Sequence, residues 1–254
     1  MAAVRIGLVS LCLLCSGRAA VAQVVIGAEF DRDRFTYHFD RPTFEQRYDA
    51  DNVWLVGEAR YTRVLPLETT AGLTPSRTST GDDYDTFPDA DGATIVSGTT
   101  GPVSIHSWRI GQRADVAHAG AFAFSAGYRL RVDIVDFGLG HKTVTRNGVL
   151  VSATDVTSPE HTSSQMHEIY GGVRVSGLAA ELAPVTLGRL LVQLPDKYPG
   201  QDLIYYAKGA TGSASYALTR AHVTVAVHAE HTWTYSPSAA LRRTIVGVRA
   251  GYRW

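Results

Sequence analysis

The sequence is poor in most features that mark a soluble enzyme. It has 2 cysteines in 254 residues, Cys12 and Cys15, both near the start. A chain processed beyond them has no thiol, which excludes disulfides, cysteine metal sites and a cysteine nucleophile. Charge of one sign is lacking too, since 24 Lys+Arg face 24 Asp+Glu. No basic face is implied, and nucleic acid is not an expected partner. Beyond the first residues no stretch approaches the roughly 18 consecutive apolar positions of a spanning helix. There is no glycine-rich phosphate loop, and the 9 histidines show no zinc-ligand spacing.

The first residues are of another kind. Arg5 is followed by the apolar run from Ile6 to Cys15 and by small residues ending Ala20-Val21-Ala22. A charged start, a short hydrophobic stretch and a small-x-small site are the marks of a secretory signal peptide. The run is well below the about 20 residues a spanning helix needs. Residues 1–22 are therefore expected to be removed, leaving one domain over 23–254. That mature chain loses Arg5 and Arg18 and keeps 22 basic against 24 acidic side chains. An exported chain without apolar helices can be integral to a membrane only as a closed β-barrel, which satisfies every backbone N–H and C=O within itself.

What the chain does have is alternation with period two. In the last segment Val246, Val248, Ala250, Tyr252 and Trp254 suit lipid, while Gly247, Arg249, Gly251 and Arg253 suit a wet interior. A terminal aromatic also resembles the C-terminal recognition signal of outer-membrane barrels. From 119 to 136, Phe122, Phe124, Ala126, Tyr128, Leu130, Val132 and Ile134 oppose Ser125, Gly127, Arg129, Arg131 and Asp133. From 221 to 235, Val223, Val225, Val227 and Trp233 oppose Thr224, His228, Glu230 and Thr232. The segments from Met166 and from Val24 repeat the pattern. Ten strands result, at about 24–38, 52–65, 68–79, 101–114, 119–136, 165–177, 182–193, 203–218, 221–235 and 243–254. Their connections alternate between short turns and longer loops, notably 39–51, 80–100 and 137–164. That asymmetry predicts an all-β, antiparallel transmembrane barrel with short periplasmic turns and long extracellular loops. The expected location is the outer membrane of a Gram-negative bacterium, and the expected state is a monomer.

The inward face carries Glu29, Asp31, Asp33, Glu58, Asp133, Glu168 and Glu230 against eight arginines. Such a lumen is expected to be filled largely by paired charges, a barrel of this size being far narrower than a porin. The 80–100 stretch is the acidic outlier. Its Asp89-x-Asp91-Gly92 is a fragment of a calcium-loop pattern without the distal Glu, so Asp89 and Asp91 are the candidate ligands for a weakly held divalent cation. No other cofactor is expected.

Two features extend the reading. Asp83-Tyr84-Asp85 tops the third strand, and Ala126-Gly127-Tyr128-Arg129, within the fifth, has the form of an Ala-Gly-Tyr strand motif. With the strand count, these residues resemble the omptins, the ten-stranded outer-membrane proteases. The resemblance implies that Asp83 and Asp85 form a catalytic acidic pair. It also implies an Asp-x-His couple near residues 194–199, where a base working near neutral pH would stand. That place reads Leu194-Pro195-Asp196-Lys197-Tyr198-Pro199, without histidine, and Asp-x-His occurs nowhere in the chain. The sequence thus favours a non-enzymatic barrel, structural, surface-exposed or narrow-channelled. An omptin-like endopeptidase with a rearranged site is the alternative. The partners expected are membrane lipid and lipopolysaccharide around the wall, and the barrel-assembly machinery through Trp254.

Overall fold

A computed structural model describes residues 21–40, 43–61, 67–88, 90–138, 140–155, 160–193, 200–235 and 239–254. The leader expected at 1–22 lies outside the described residues except for its last two.

The period-two segments all form strands. They are β1 (Val21–Asp40), β2 (Thr43–Tyr61), β3 (Leu67–Pro88), β4 (Thr94–Ala119), β5 (Phe122–Phe137), β6 (His141–Arg146), β7 (Val149–Asp155), β8 (Glu160–Val175), β9 (Leu178–Gln193), β10 (Asp202–Arg220), β11 (Val223–Tyr235) and β12 (Ala239–Arg253). Ten of them pair antiparallel with their neighbours, and β1 pairs with β12 while β3 pairs with β4 and β5 with β8, so the sheet closes on itself. The ring leaves no free edge among these ten, which is how a barrel disposes of its unpaired backbone groups.

The strands are longer than a bilayer requires. A tilted strand crosses with about 9–11 residues, whereas β4 has 26 and β3 has 22. The excess stands at one end as paired arms. The 80–100 stretch, expected as a loop, is instead the top of the β3–β4 hairpin, with Asp83 opposite Thr99 and Asp85 opposite Ser97. The 39–51 stretch is likewise mostly strand. The 137–164 stretch holds the β6–β7 hairpin, which extends the sheet by pairing β6 with Ile95–Thr100 of β4. Its turn is Asn147-Gly148, both at positive φ (49° and 81°), the preferred chemistry of a two-residue hairpin whose twist matches its strands.

The opposite end has tight turns at Gly120-Ala121, Ser176-Gly177 and Ala221-His222, each a few residues from its expected place. Both chain ends of the barrel meet there, with the Trp254 N–H donating to the Val24 carbonyl at 3.0 Å.

The outer wall is apolar over the middle of the ring. Ile26, Phe30, Leu55, Ile169, Leu182, Leu218, Val227 and Val248 are all exposed there. Tyr252 and Trp254 mark the rim of this belt at the short-turn end. Soluble monomers rarely expose a contiguous apolar surface on this scale, and lipid removes its cost. Arg32 and Arg34 replace the apolar outward residues one step further along β1, and both bond Asp49 of β2. They mark where the belt ends toward the arms.

Candidate functional site

Inside the ring every second side chain meets its counterparts from the other strands. The interior has two halves. Toward the arms, Phe35, Tyr37, Val103, Ile105, Val135, Phe137, Leu190, Val192, Tyr205 and Leu241 pack into one buried cluster. Phe35 and Tyr37 meet edge to face at 4.0 Å between centroids. This is packing of the kind found in a soluble-protein core, built inside a barrel.

Below it lies a layer of charge. Arg243 of β12 lies between two carboxylates, binding Asp33 through Nε at 2.9 Å and Asp133 through Nη1 at 2.8 Å. Arg131 joins them, with Nη2 at 3.2 Å from Asp33 and Nε at 3.1 Å from Asp133. Asp133 further accepts from Ser107 Oγ at 2.6 Å and Ser164 Oγ at 3.3 Å. Glu29 receives a forked pair of bonds from Arg109, at 2.8 and 2.6 Å. The guanidiniums of Arg109 and Arg131 stand 4.6 and 4.9 Å from the centroid of the fully buried Trp54 ring. Arg129 holds Glu168 at 2.6 Å and Glu230 at 3.2 Å. Thr211 Oγ1 adds a 2.7 Å bond to Glu168 and is linked to Thr186 and Thr232 on either side. Charges this deep are tolerable only when paired and hydrogen-bonded, and planar forked guanidiniums suit that task better than lysine would.

Toward the short turns the interior opens into a basin of about 650 Å³. Its walls carry Arg60 and Arg113 on Glu68 (2.6 and 2.8 Å), Arg249 on Glu58 (2.6 Å), and Arg174 on Asp115 (2.9 Å). Glu29, His228 and Glu230 line it, and so do Arg131, Arg243, Met166 and Leu241, so the basin runs through the charged layer to the foot of the apolar cluster.

The residues singled out from the sequence fall in different places. Asp83 and Asp85 lie in β3 at the top of the arms, in register with Gln46 and Phe44 of β2. Asp91, in the exposed turn between β3 and β4, accepts from Arg146 Nη2 of the hairpin at 2.8 Å. Asp89 lies outside the described residues, as does the 194–199 segment. Of the histidines in the described residues, His228 alone faces the lumen, in the basin and far from the arms. No imidazole faces inward at the arm end among the described residues. Ala126-Gly127-Tyr128-Arg129 straddles the wall, with Arg129 in the charged layer and Tyr128 outside, 2.7 Å from His167 Nδ1.

Several interior residues escaped the sequence reading. Arg243 stands just before the alternation recognised in β12, two steps of two from Gly247, and Ile245 between them interrupts the polar face. Glu68 and Glu181 sit beside segments read as turns. Arg189, which suited neither face, is exposed on the outer wall, and a β-bulge in the β9–β10 pairing between Gly209 and Thr211 resets the alternation of that strand.

No protein-family model matches this chain, and none of the curated proteins does. Solved structures do match. The outer membrane protease OmpT from Escherichia coli superposes with a TM-score of 0.60 at 8% identity, covering 94% of this chain and 98% of that one. The β domain of the Bordetella autotransporter Brka aligns more loosely, at a TM-score of 0.41 and 8% identity, over 89% of this chain and 98% of that one. At such identity the likeness is one of fold. With the closed ring and the apolar belt, the class is defined: an outer-membrane-type β-barrel of ten strands. In that class the short turns face the periplasm and the arms face outward from the cell.

Proposed function

We propose that the chain is an integral protein of the Gram-negative outer membrane whose barrel is a closed, non-enzymatic body carrying strand-built arms and the β6–β7 hairpin to the cell surface. The observation that supports this reading is the apolar cluster filling the outer half of the lumen. A solute would have to displace Phe35, Val103, Leu190 and Leu241, all less than 3% exposed. The periplasmic basin is therefore a dead end. Lipid and lipopolysaccharide surround the wall, and the exposed C-terminal Trp254 is the handle for the barrel-assembly machinery. The protein acts as a monomer, since the ring is complete without a second copy.

The competing reading is an omptin-like endopeptidase, kept in view by the Asp83-x-Asp85 pair at the arm tips. It requires a base facing that pair, and the lumen's own histidine is on the other side of the apolar cluster. Refolded protein in planar bilayers is expected to stay silent, and a peptide panel is expected to remain uncut. Steady unitary conductance would overturn the closed-lumen reading. Cleavage abolished by both Asp83→Ala and Asp85→Ala would replace it with the protease.

A further inference from the structure

The charged layer is not balanced. Among the described residues it holds six carboxylates, on Glu29, Asp31, Asp33, Asp133, Glu168 and Glu230, and four guanidiniums, on Arg109, Arg129, Arg131 and Arg243. Two positive charges are wanting. Arg249, the next cation toward the periplasm, is engaged with Glu58 at 2.6 Å. The shortfall centres on Asp31. That carboxylate is fully buried, yet its hydrogen bonds come from neutral donors, Asn52 Nδ2 at 2.5 Å and Trp54 Nε1 at 2.8 Å. An ionised carboxylate in such a place calls for a counter-charge.

Three ligand atoms converge beside it. One oxygen from Glu29, one from Asp31 and one ring nitrogen of His228 all lie within 4.8 Å of one another. His228 Nε2 is 3.6 Å from Glu29 Oε1. The approach is made possible by Gly247, the register partner of both Asp31 and His228. A Cβ on Gly247 would come within 2.6 Å of His228 Cε1 and 2.8 Å of Asp31 Cβ, so any side chain there would drive the imidazole away. The amide that bonds Asp31 also carries an oxygen without a partner. Asn52 is 1% exposed, and its Oδ1 accepts no hydrogen bond although the same amide group contacts Asp31 through nitrogen. Glu29 and His228 both line the basin, which gives an entry path from the periplasm.

We propose that Glu29, Asp31 and His228 bind one divalent metal ion of the zinc class. A dication supplies the two missing charges. Carboxylates with an imidazole suit zinc and its transition-metal neighbours, whereas calcium and magnesium favour oxygen alone. Each carboxylate oxygen keeps a lone pair after its present hydrogen bonds, so Arg109 can remain on Glu29 as an orienting partner, a role typical of groups just outside a metal's ligands. The ion would tie β1 to β11 across the gap left by Gly247.

The test uses the full mature chain refolded in detergent, stripped with EDTA and titrated with Zn²⁺ by calorimetry and with Co²⁺ by visible spectroscopy. The expected result is one ion per barrel at micromolar affinity or tighter, weakened by about 10- to 100-fold in both Asp31→Asn and His228→Gln. Heat-modifiable gel migration reports whether each variant is folded. Should Asp31→Asn not fold, His228→Gln decides, because His228 lies at the basin wall and makes no forked ion pair. The exposed pairs His141–Asp155 and His161–Asp136 are the competing sites, so His141→Ala and His161→Ala are expected to keep binding intact. Absence of saturable binding in the parent barrel would overturn the proposal. So would binding that survives His228→Gln and disappears with the two surface histidines.

Discussion

The two halves of the lumen obey one geometric rule and hold opposite chemistry. Along β1 the inward residues run Glu29, Asp31, Asp33 and then Phe35, Tyr37; along β5 they run Arg129, Arg131, Asp133 and then Val135, Phe137. β4 changes from Arg113 and Arg109 to Ile105 and Val103, and β12 from Arg249 and Arg243 to Leu241 and Ala239. The switch falls at matching register on β4 and β5, and one inward step further toward the arms on β12 than on β1, where Phe35 stands opposite Arg243. A barrel of this width can be filled in two ways, by packing apolar side chains or by bridging charges, and the two halves of this one differ in which they use. The outer half gains stability as any core does, by burial and close packing. The inner half gains rigidity from ion pairs whose desolvation cost offsets much of their attraction. The contrast teaches that in the charged half a single deletion is costly because of what it leaves behind, and in the apolar half because of what it removes.

The sharpest way to break the comparison is Arg243→Leu. It strips the shared cation from Asp33 and Asp133 and is expected to cost about 3–5 kcal/mol, read as a lower unfolding midpoint in urea from detergent. A loss under about 1 kcal/mol would mean that the carboxylates find other compensation. Next is Leu190→Ala in the apolar half, whose expected cost of about 2–5 kcal/mol comes from lost burial plus the cavity. In combination with Phe35→Ala it should also thin the plug enough for bilayer recordings to show rare openings. If the double variant loses little stability and stays silent, the apolar half is not what closes the lumen. On the outer wall, Val248→Arg places a charge in the belt and is expected to cost about 2–4 kcal/mol, while leaving lumen chemistry alone; no measurable cost would displace the belt from that level. The smallest effect is expected at the basin mouth, where Arg60 is 41% exposed on its side chain and shares Glu68 with Arg113. Arg60→Ala should change stability by no more than about 1 kcal/mol, and a larger loss would extend the rigid charged half down to the periplasmic rim.

The fold was largely legible because alternation is a local property. In β5, β11 and β12 each residue's face follows from its neighbours two places away, and the faces of Glu29, Asp31, Asp133 and Glu230 could be read in this way. Where the local rule is interrupted, legibility fails. The β-bulge beside Thr211 shifts the phase of the β9–β10 pairing, so Arg189 could not be assigned a face from spacing alone. The β6–β7 hairpin was legible in principle, because Asn147-Gly148 between two short β-prone runs is a strong hairpin signal. Composition of the 137–164 stretch as a whole hid it.

The candidate site was much less legible. Asp31 and His228 are far apart in the chain, and nothing in either segment shows that Gly247 brings them together. Arg243 and Asp33 are separated by 210 residues. By itself the sequence determined the face of most side chains in the regular strands, how many strands form the ring and which wall meets lipid, because each depends on a two-residue repeat. Only the tertiary structure decided which charges meet across the lumen, where the interior stays open and which buried carboxylate has only neutral hydrogen-bond donors. Those depend on ring closure and on the stagger between strands, and no stretch of chain shorter than the whole barrel contains either.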